Sequence, residues 1–140
     1  MKKRWKSYVM YRQNEKLVEF WKEYYKDKSG AKVFFLLGKG FDPRMNNILK
    51  LFLENNPEQV LDCVAFDFPN EKDPVENKKL YDINSQQLTE LKDQYGFGYE
   101  ELKIDGNLPW DKRIAQMSRK VIDKDLGAYN DVIMDVSSLP

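Results

Sequence analysis

The sequence predicts an α/β fold in which helices alternate with the strands of a mostly parallel sheet of about four strands, with helices on both faces. Three observations carry this expectation. Segments of helical period alternate along the chain with short apolar runs. One run, Val33-Phe34-Phe35-Leu36-Leu37, is apolar throughout instead of alternating, as a strand buried on both faces must be. A glycine-containing turn joins that run to a helix and a second strand within about 35 residues, the size of a βαβ unit.

Taken in order, Asn14 to Lys26 places Leu17, Val18, Phe20, Trp21, Tyr24 and Tyr25 on one broad face, with Asn14 able to cap the start. This is an amphipathic helix whose aromatic face suits core packing better than a nucleobase platform. Ser29-Gly30 closes it, and Val33 to Leu37 is the first strand. The next helix is expected to begin at Asp42-Pro43, where aspartate can accept first-turn amides and proline lacks an amide that would go unpaired. It continues through Met45, Ile48, Leu49, Phe52 and Leu53 to Asn55-Asn56-Pro57. A second strand follows from Leu61 to Asp67, closed by Pro69 and a charged loop, Asn70 to Lys79. Ser85 to Tyr95 reads as a helix through Leu88 and Leu91 with Gly96 behind it, and Tyr99 to Ile104 as a third strand. A helix from Asp111 to Lys124 turns Ile114, Met117, Ser118, Val121 and Ile122 inward, and Val132 to Val136 is the fourth strand. Phe97 and Trp110 are candidates either for exposed recognition aromatics or for sealing the ends of the core.

This order makes the fold Rossmann-like, with right-handed crossovers. No repeat and no Gly/Ser linker divides it, so the organisation is a leading helical segment over residues 1–30 and one α/β unit over 31–140. Stopping directly after a strand and its loop, the sheet is expected to be incomplete at its carboxyl end. It would be the first part of a longer protein, or be completed by a partner chain or in a homo-oligomer.

Composition narrows the chemistry. The chain has 140 residues, enough for one core, and 23 basic against 23 acidic side chains, so no overall field draws in nucleic acid or an anionic membrane. Histidine is absent, which removes imidazole as base, zinc ligand or triad member. The single cysteine, Cys63, sits in an apolar stretch and reads as a buried thiol, not part of a disulfide framework. No apolar run spans a bilayer, and the basic start Met1-Lys2-Lys3-Arg4-Trp5 lacks a signal core behind it, so a cytoplasmic location is expected.

The chemistry is expected at Gly38-Lys39-Gly40-Phe41-Asp42-Pro43-Arg44. Glycines permit a sharp turn and close approach of a ligand, and the helix behind them offers free amides and a positive dipole end. The third glycine of the dinucleotide fingerprint is missing, and the lysine does not stand where a Walker loop needs it. Open parallel sheets bind ligands at their carboxyl edge, so Asp42, Asp67, Asp135 and Ser137 are expected to converge there with Gly38 and Gly40 on a small nucleotide or cofactor. Asp135 can equally cap a neighbouring turn. No carboxylate spacing singles out a metal site.

The run Leu37-Gly38-Lys39-Gly40-Phe41-Asp42-Pro43-Arg44 resembles the Leu-Gly-x-Gly-x-Asp-x-Arg loop of class I S-adenosylmethionine-dependent methyltransferases, particularly the leucine carboxyl methyltransferase-like group. Phe66-Asp67-Phe68-Pro69 is similar to that group's acidic turn after the second strand. The resemblance covers residues 32–70, and Ala65 stands where the group tends to carry a glutamate that accepts the ribose hydroxyls. It implies S-adenosylmethionine as cofactor, with Gly38 and Gly40 under its methionine end, Arg44 near its carboxylate or structuring the loop, and Asp67 near its ribose. A shorter likeness links the same loop to the Gly-x-Gly-Phe-Asp opening of some phage-defence abortive-infection proteins, which would make the chain a nucleotide-binding subunit. A third alternative is a non-catalytic interaction module that docks a partner through the aromatic first helix or the open sheet edge.

Overall fold

A computed structural model describes residues 14–68 and 72–137. The elements are α1 (Asn14–Tyr24), β1 (Lys32–Lys39), α2 (Asn47–Asn55), β2 (Val60–Asp67), α3 (Val75–Tyr95), β3 (Gly98–Lys103), α4 (Trp110–Ile122) and β4 (Asp131–Met134), with a short 3-10 turn at Leu126–Ala128. The strands form one four-stranded sheet in the order β3-β2-β1-β4, and every pairing is parallel. β1 and β2 are the inner strands, which is why their sequences are apolar on both faces.

Odd-numbered side chains of β1, Val33, Phe35 and Leu37, join Leu61, Cys63 and Ala65 of β2 under a layer built by Trp21 of α1, Leu49, Phe52 and Leu53 of α2, and Leu88 and Leu91 of α3. The even-numbered Phe34, Leu36, Val64 and Phe66 pack with Ile104 on the opposite face, beneath Met117 and Val121 of α4. The chain steps leftward twice with its helix on the first face, then rightward once with its helix on the second. Reversing both direction and face preserves the hand, so a single crossover chirality serves all three connections.

The aromatic face of α1 goes into this core: Trp21 and Tyr25 are buried and meet the Phe52 ring edge-on at 5.1 and 5.9 Å. Leu17, Phe20 and Tyr24 of the same face are only partly buried against this core.

Several expectations need correction. The charged stretch Asn70 to Lys79 is not all loop, because α3 starts at Val75, behind Pro74, and runs ten residues earlier than the apolar pattern indicated. Its leading residues Val75, Glu76, Lys78 and Lys79 are exposed, so the stretch carries charge where a core helix would carry leucine. On α4 only Met117 and Val121 turn inward; Ser118 is exposed, and Ile114 and Ile122 are 44% and 76% exposed. Ile122 follows Val121 by one residue, about 100° round the helix, and so points away from the sheet. Phe97 is buried at the end of the core, whereas Trp110 is half exposed. Pro69 lies outside the described residues, and among those that are described no helix is long and apolar enough to cross a membrane.

Candidate functional site

β1 ends at Lys39, and the chain takes seven residues, 40–46, to enter α2 at Asn47. The helix does not begin at Asp42-Pro43. Met45 N–H donates to Asp42 O and Asn47 N–H to Arg44 O, each at 3.0 Å, so the segment closes tight turns while the buried Met45 side chain anchors it beneath. Asp42 caps this turn instead of the helix: its Oδ1 accepts the Arg44 amide at 2.8 Å. The Arg44 guanidinium folds back on the same carboxylate, Nε to Oδ1 at 3.0 Å and Nη2 to Oδ2 at 2.7 Å. The guanidinium hydrogen bond, then the amide, hold the Asp42 carboxyl below its ordinary range, and the same pairing raises Arg44. Arg44 nevertheless keeps its side chain 67% exposed, available to an anion.

Neither Gly38 nor Gly40 has a positive φ. A sharp glycine-only turn is thus absent. What Gly40 contributes is space, since a Cβ built on it would meet nothing within 4 Å. The loop is held from the side by α3. Asn84, 3% exposed, donates from Nδ2 to both Gly40 O and Asp42 O at 2.8 Å, and its own carbonyl accepts Asn46 Nδ2 at 2.9 Å.

Asp135 lies just past β4, beside β1, to whose Leu36 carbonyl its amide donates at 2.9 Å. It is 5% exposed. Its Oδ1 accepts the Ser137 amide at 3.0 Å and the Ser137 hydroxyl, whereas its Oδ2 is buried with no donor among the described residues. This carboxylate also contributes to raising Arg44, which places the two within electrostatic reach. The β1/β4 boundary is where the strand order reverses, the position at which open parallel sheets leave a crevice.

The other named residues group differently. Lys39 turns toward the far side of the sheet, where its ammonium pairs with Glu101 of β3 and sits 5.1 Å from the Tyr81 ring. Asp67, buried at the end of β2, accepts the Tyr81 hydroxyl at 2.7 Å. Burial first, then the Asp67 hydrogen bond, push the Tyr81 hydroxyl up. Lys39 and Asp67 are therefore engaged in a tether between the sheet and α3. Asp135 and Ser137 lie on the β1/β4 side, with Arg44 in electrostatic reach of Asp135, while Gly40 and Asp42 are tied through their carbonyls to Asn84 of α3. With β1 standing between β2 and β4, Asp67 and Asp135 are two strand spacings apart, about 10 Å, so they flank the loop without meeting.

Tyr81, Asn84 and Asn46 were not foreseen. Asn84 left a legible mark, because it precedes Leu88 by one helical turn and is a polar residue on the buried stripe of α3. Tyr81 lay in a segment whose charge masked its helical period.

Among the described residues no group of three or more His, Cys, Asp or Glu side chains could hold a metal ion. Two cavities, of about 460 and 250 Å³, open at the opposite, amino-terminal end of the strands on either side of the end of α1. Comparison of the chain with protein-family models, with curated proteins and with solved structures finds no match in any of the three.

Proposed function

We propose that the chain binds a nucleotide or nucleoside cofactor at the β1/β4 boundary, and that S-adenosylmethionine is the ligand, in a methyltransferase-like role. The observation that carries this reading is the buried Oδ2 of Asp135, an acceptor with no donor among the described residues. A lone buried carboxylate oxygen is costly unless something donates to it, and a ligand ammonium or hydroxyl would do so. Beside it, Arg44 offers an exposed guanidinium to an anionic group, and the space above Gly40 admits a ligand close to the backbone. The Asn84 tether fixes that backbone before binding, which lowers the ordering cost of association.

Bound S-adenosylmethionine would supply an activated methyl group on a sulfonium, whose departure needs little acid–base help, in keeping with a chain that has no histidine. The residues' own part is to hold and orient: Asp135 and Arg44 at the polar end, Gly38 and Gly40 beneath it, and Asp67, if Tyr81 yields a hydrogen bond, at the ribose.

Calorimetric titration with S-adenosylhomocysteine, NAD⁺ and ATP tests the proposal. S-adenosylhomocysteine is expected to bind, and Gly40→Val, whose side chain projects into space free of protein atoms, is expected to fold normally and lose the heat. Silence with all three ligands sinks the idea of a nucleotide site. Heat with NAD⁺ or ATP alone keeps the site and removes the methyltransferase reading. An interaction module is the second reading, favoured by the exposed Ile114 and Ile122 on α4 and Met134 on the edge strand β4. Light scattering that finds a monomer at all concentrations, together with nucleotide binding, would remove it.

A further inference from the structure

The larger cavity, about 460 Å³, lies at the opposite end of the sheet from the loop, walled by Tyr24, Lys28, Ser29, Gly30, Asn130 and Asp131. Three features give it one electrostatic character, and a fourth gives it room. α1 ends beside it at Tyr24, so the negative end of the helix dipole lies near. Asp131 supplies a carboxylate, oriented by hydrogen bonds from the Tyr24 and Tyr25 hydroxyls. The Tyr24 ring is braced by stacking on Phe20 at 5.5 Å and by an edge contact with Tyr25 at 4.9 Å, and it presents a face to the cavity. Gly30, at φ +76, turns the chain with no side chain and with nothing within 4 Å of where a Cβ would stand, which leaves the floor open.

A helix C-terminus, a carboxylate and an aromatic face all favour a cation, and the protein's own chain supplies one: the Lys28 ammonium sits 3.3 Å from the Tyr24 ring centroid. Lys28 is exposed and belongs to none of the ion pairs among the described residues, so little besides the ring holds it there. We propose that this cavity recognises a primary alkylammonium group, with Lys28 acting as its internal stand-in until a ligand displaces it. The cavity falls within the roughly 300–1,000 Å³ of small-ligand sites, room for the whole of a short diamine or for a lysine side chain with part of its backbone.

The test is amide NMR titration of the wild type and of Lys28→Met, following Gly30, Ala31 and Asn130, with pentane-1,5-diamine and separately with Nα-acetyl-lysine methylamide. Saturable shifts confined to those amides are expected, about tenfold tighter in Lys28→Met because the competing ammonium is gone. In that background Tyr24→Phe, which keeps the ring, retains binding, and Tyr24→Leu loses it. Should Tyr24→Leu unfold, Asp131→Asn makes the same test by removing the charge. A response to the diamine alone identifies a free amine as the source, and one to the blocked lysine alone identifies a peptide side chain. No saturation by about 10 mM in a folded Lys28→Met protein overturns the proposal. So does binding indifferent to Tyr24→Leu or Asp131→Asn, or an equal response to inorganic phosphate.

Discussion

Asn84→Ala is the most direct probe of how the loop is held. The native side chain donates two hydrogen bonds of 2.8 Å to loop carbonyls from a position only 3% exposed, so truncation strands two acceptors and leaves a small void. At about 0.5–1.5 kcal/mol per bond, with some further cost for the void, the loss comes to about 2–3 kcal/mol. With a urea m-value of about 2 kcal/mol/M for a domain of this size, the unfolding midpoint falls by about 1 M. Equilibrium urea unfolding measures that total, and amide hydrogen exchange localises it: protection should drop at Phe41 to Met45 while the inner strands lose no more than the global change. Asn84→Asp should cost more, because it turns an acceptor toward two carbonyls. If the midpoint moves by less than about 0.25 M, or exchange at the loop keeps its native rate, the tether is not what orders the loop and the reasoning fails.

Three further outcomes follow from the same geometry. Gly98→Ala would place a Cβ 2.0 Å from Asp62 Oδ1, forcing that carboxylate off its 2.6 Å bond with the Tyr129 hydroxyl; a loss of about 1–2 kcal/mol is expected in denaturant unfolding, shrinking when Asp62→Ala is combined with it. The Tyr24 and Tyr129 hydroxyls are pushed up to about 12, the first mainly by its hydrogen bond to Asp131 and the second mainly by burial, so absorbance titration should find them ionising well after an exposed tyrosine. Because their folded pKa values lie above the unfolded value of about 10, the stability they contribute is full below that pH and is lost as pH rises through 12. Cys63 is buried and its thiol is pushed up by that burial, so a thiol reagent should label it only at the rate at which the sheet opens; rapid labelling of the native protein would contradict its position in the core.

The parts of the fold legible in the sequence are those where burial dictates composition. Val33 to Leu37, apolar throughout, reads as a strand buried on both faces, and the strand–turn–helix–strand spacing points to a parallel neighbour. α3 was half legible, since Leu88 and Leu91 lie over the core whereas Val75, Glu76, Lys78 and Lys79 belong to exposed turns that no buried stripe marks. At the loop, residue types indicated a turn, but how an Asp-Pro start relates to the first helical residue depends on where Met45 finds a pocket, a tertiary fact. Asp67 and Asp135 were both located at the carboxyl edge by topology alone. What sequence could not supply was their partners, Tyr81 for one and Ser137 for the other, nor that Oδ2 of Asp135, like Oδ1 of Asn46 and Oε1 of Gln59, is buried without a donor among the described residues.

The unequal layering of the sheet has a consequence for how the molecule comes apart. Three helices cover one face, each with buried side chains, while the other has α4, which has none fully buried and is fastened at its margins by Gln116 Oε1 accepting the Asp105 amide and by Lys124 against Glu100. Such an element detaches at a lower free energy than the whole, as a cooperative unit of its own. When it lifts, the cluster of Phe34, Leu36, Val64 and Phe66 loses the cover of Met117 and Val121 and keeps that of Leu126 and Tyr129, beside β4, the edge strand among the described residues. The species most prone to self-association is therefore the native chain with one helix open, and hardening the contacts of α4 should protect it in solution more than any change to the better-covered face.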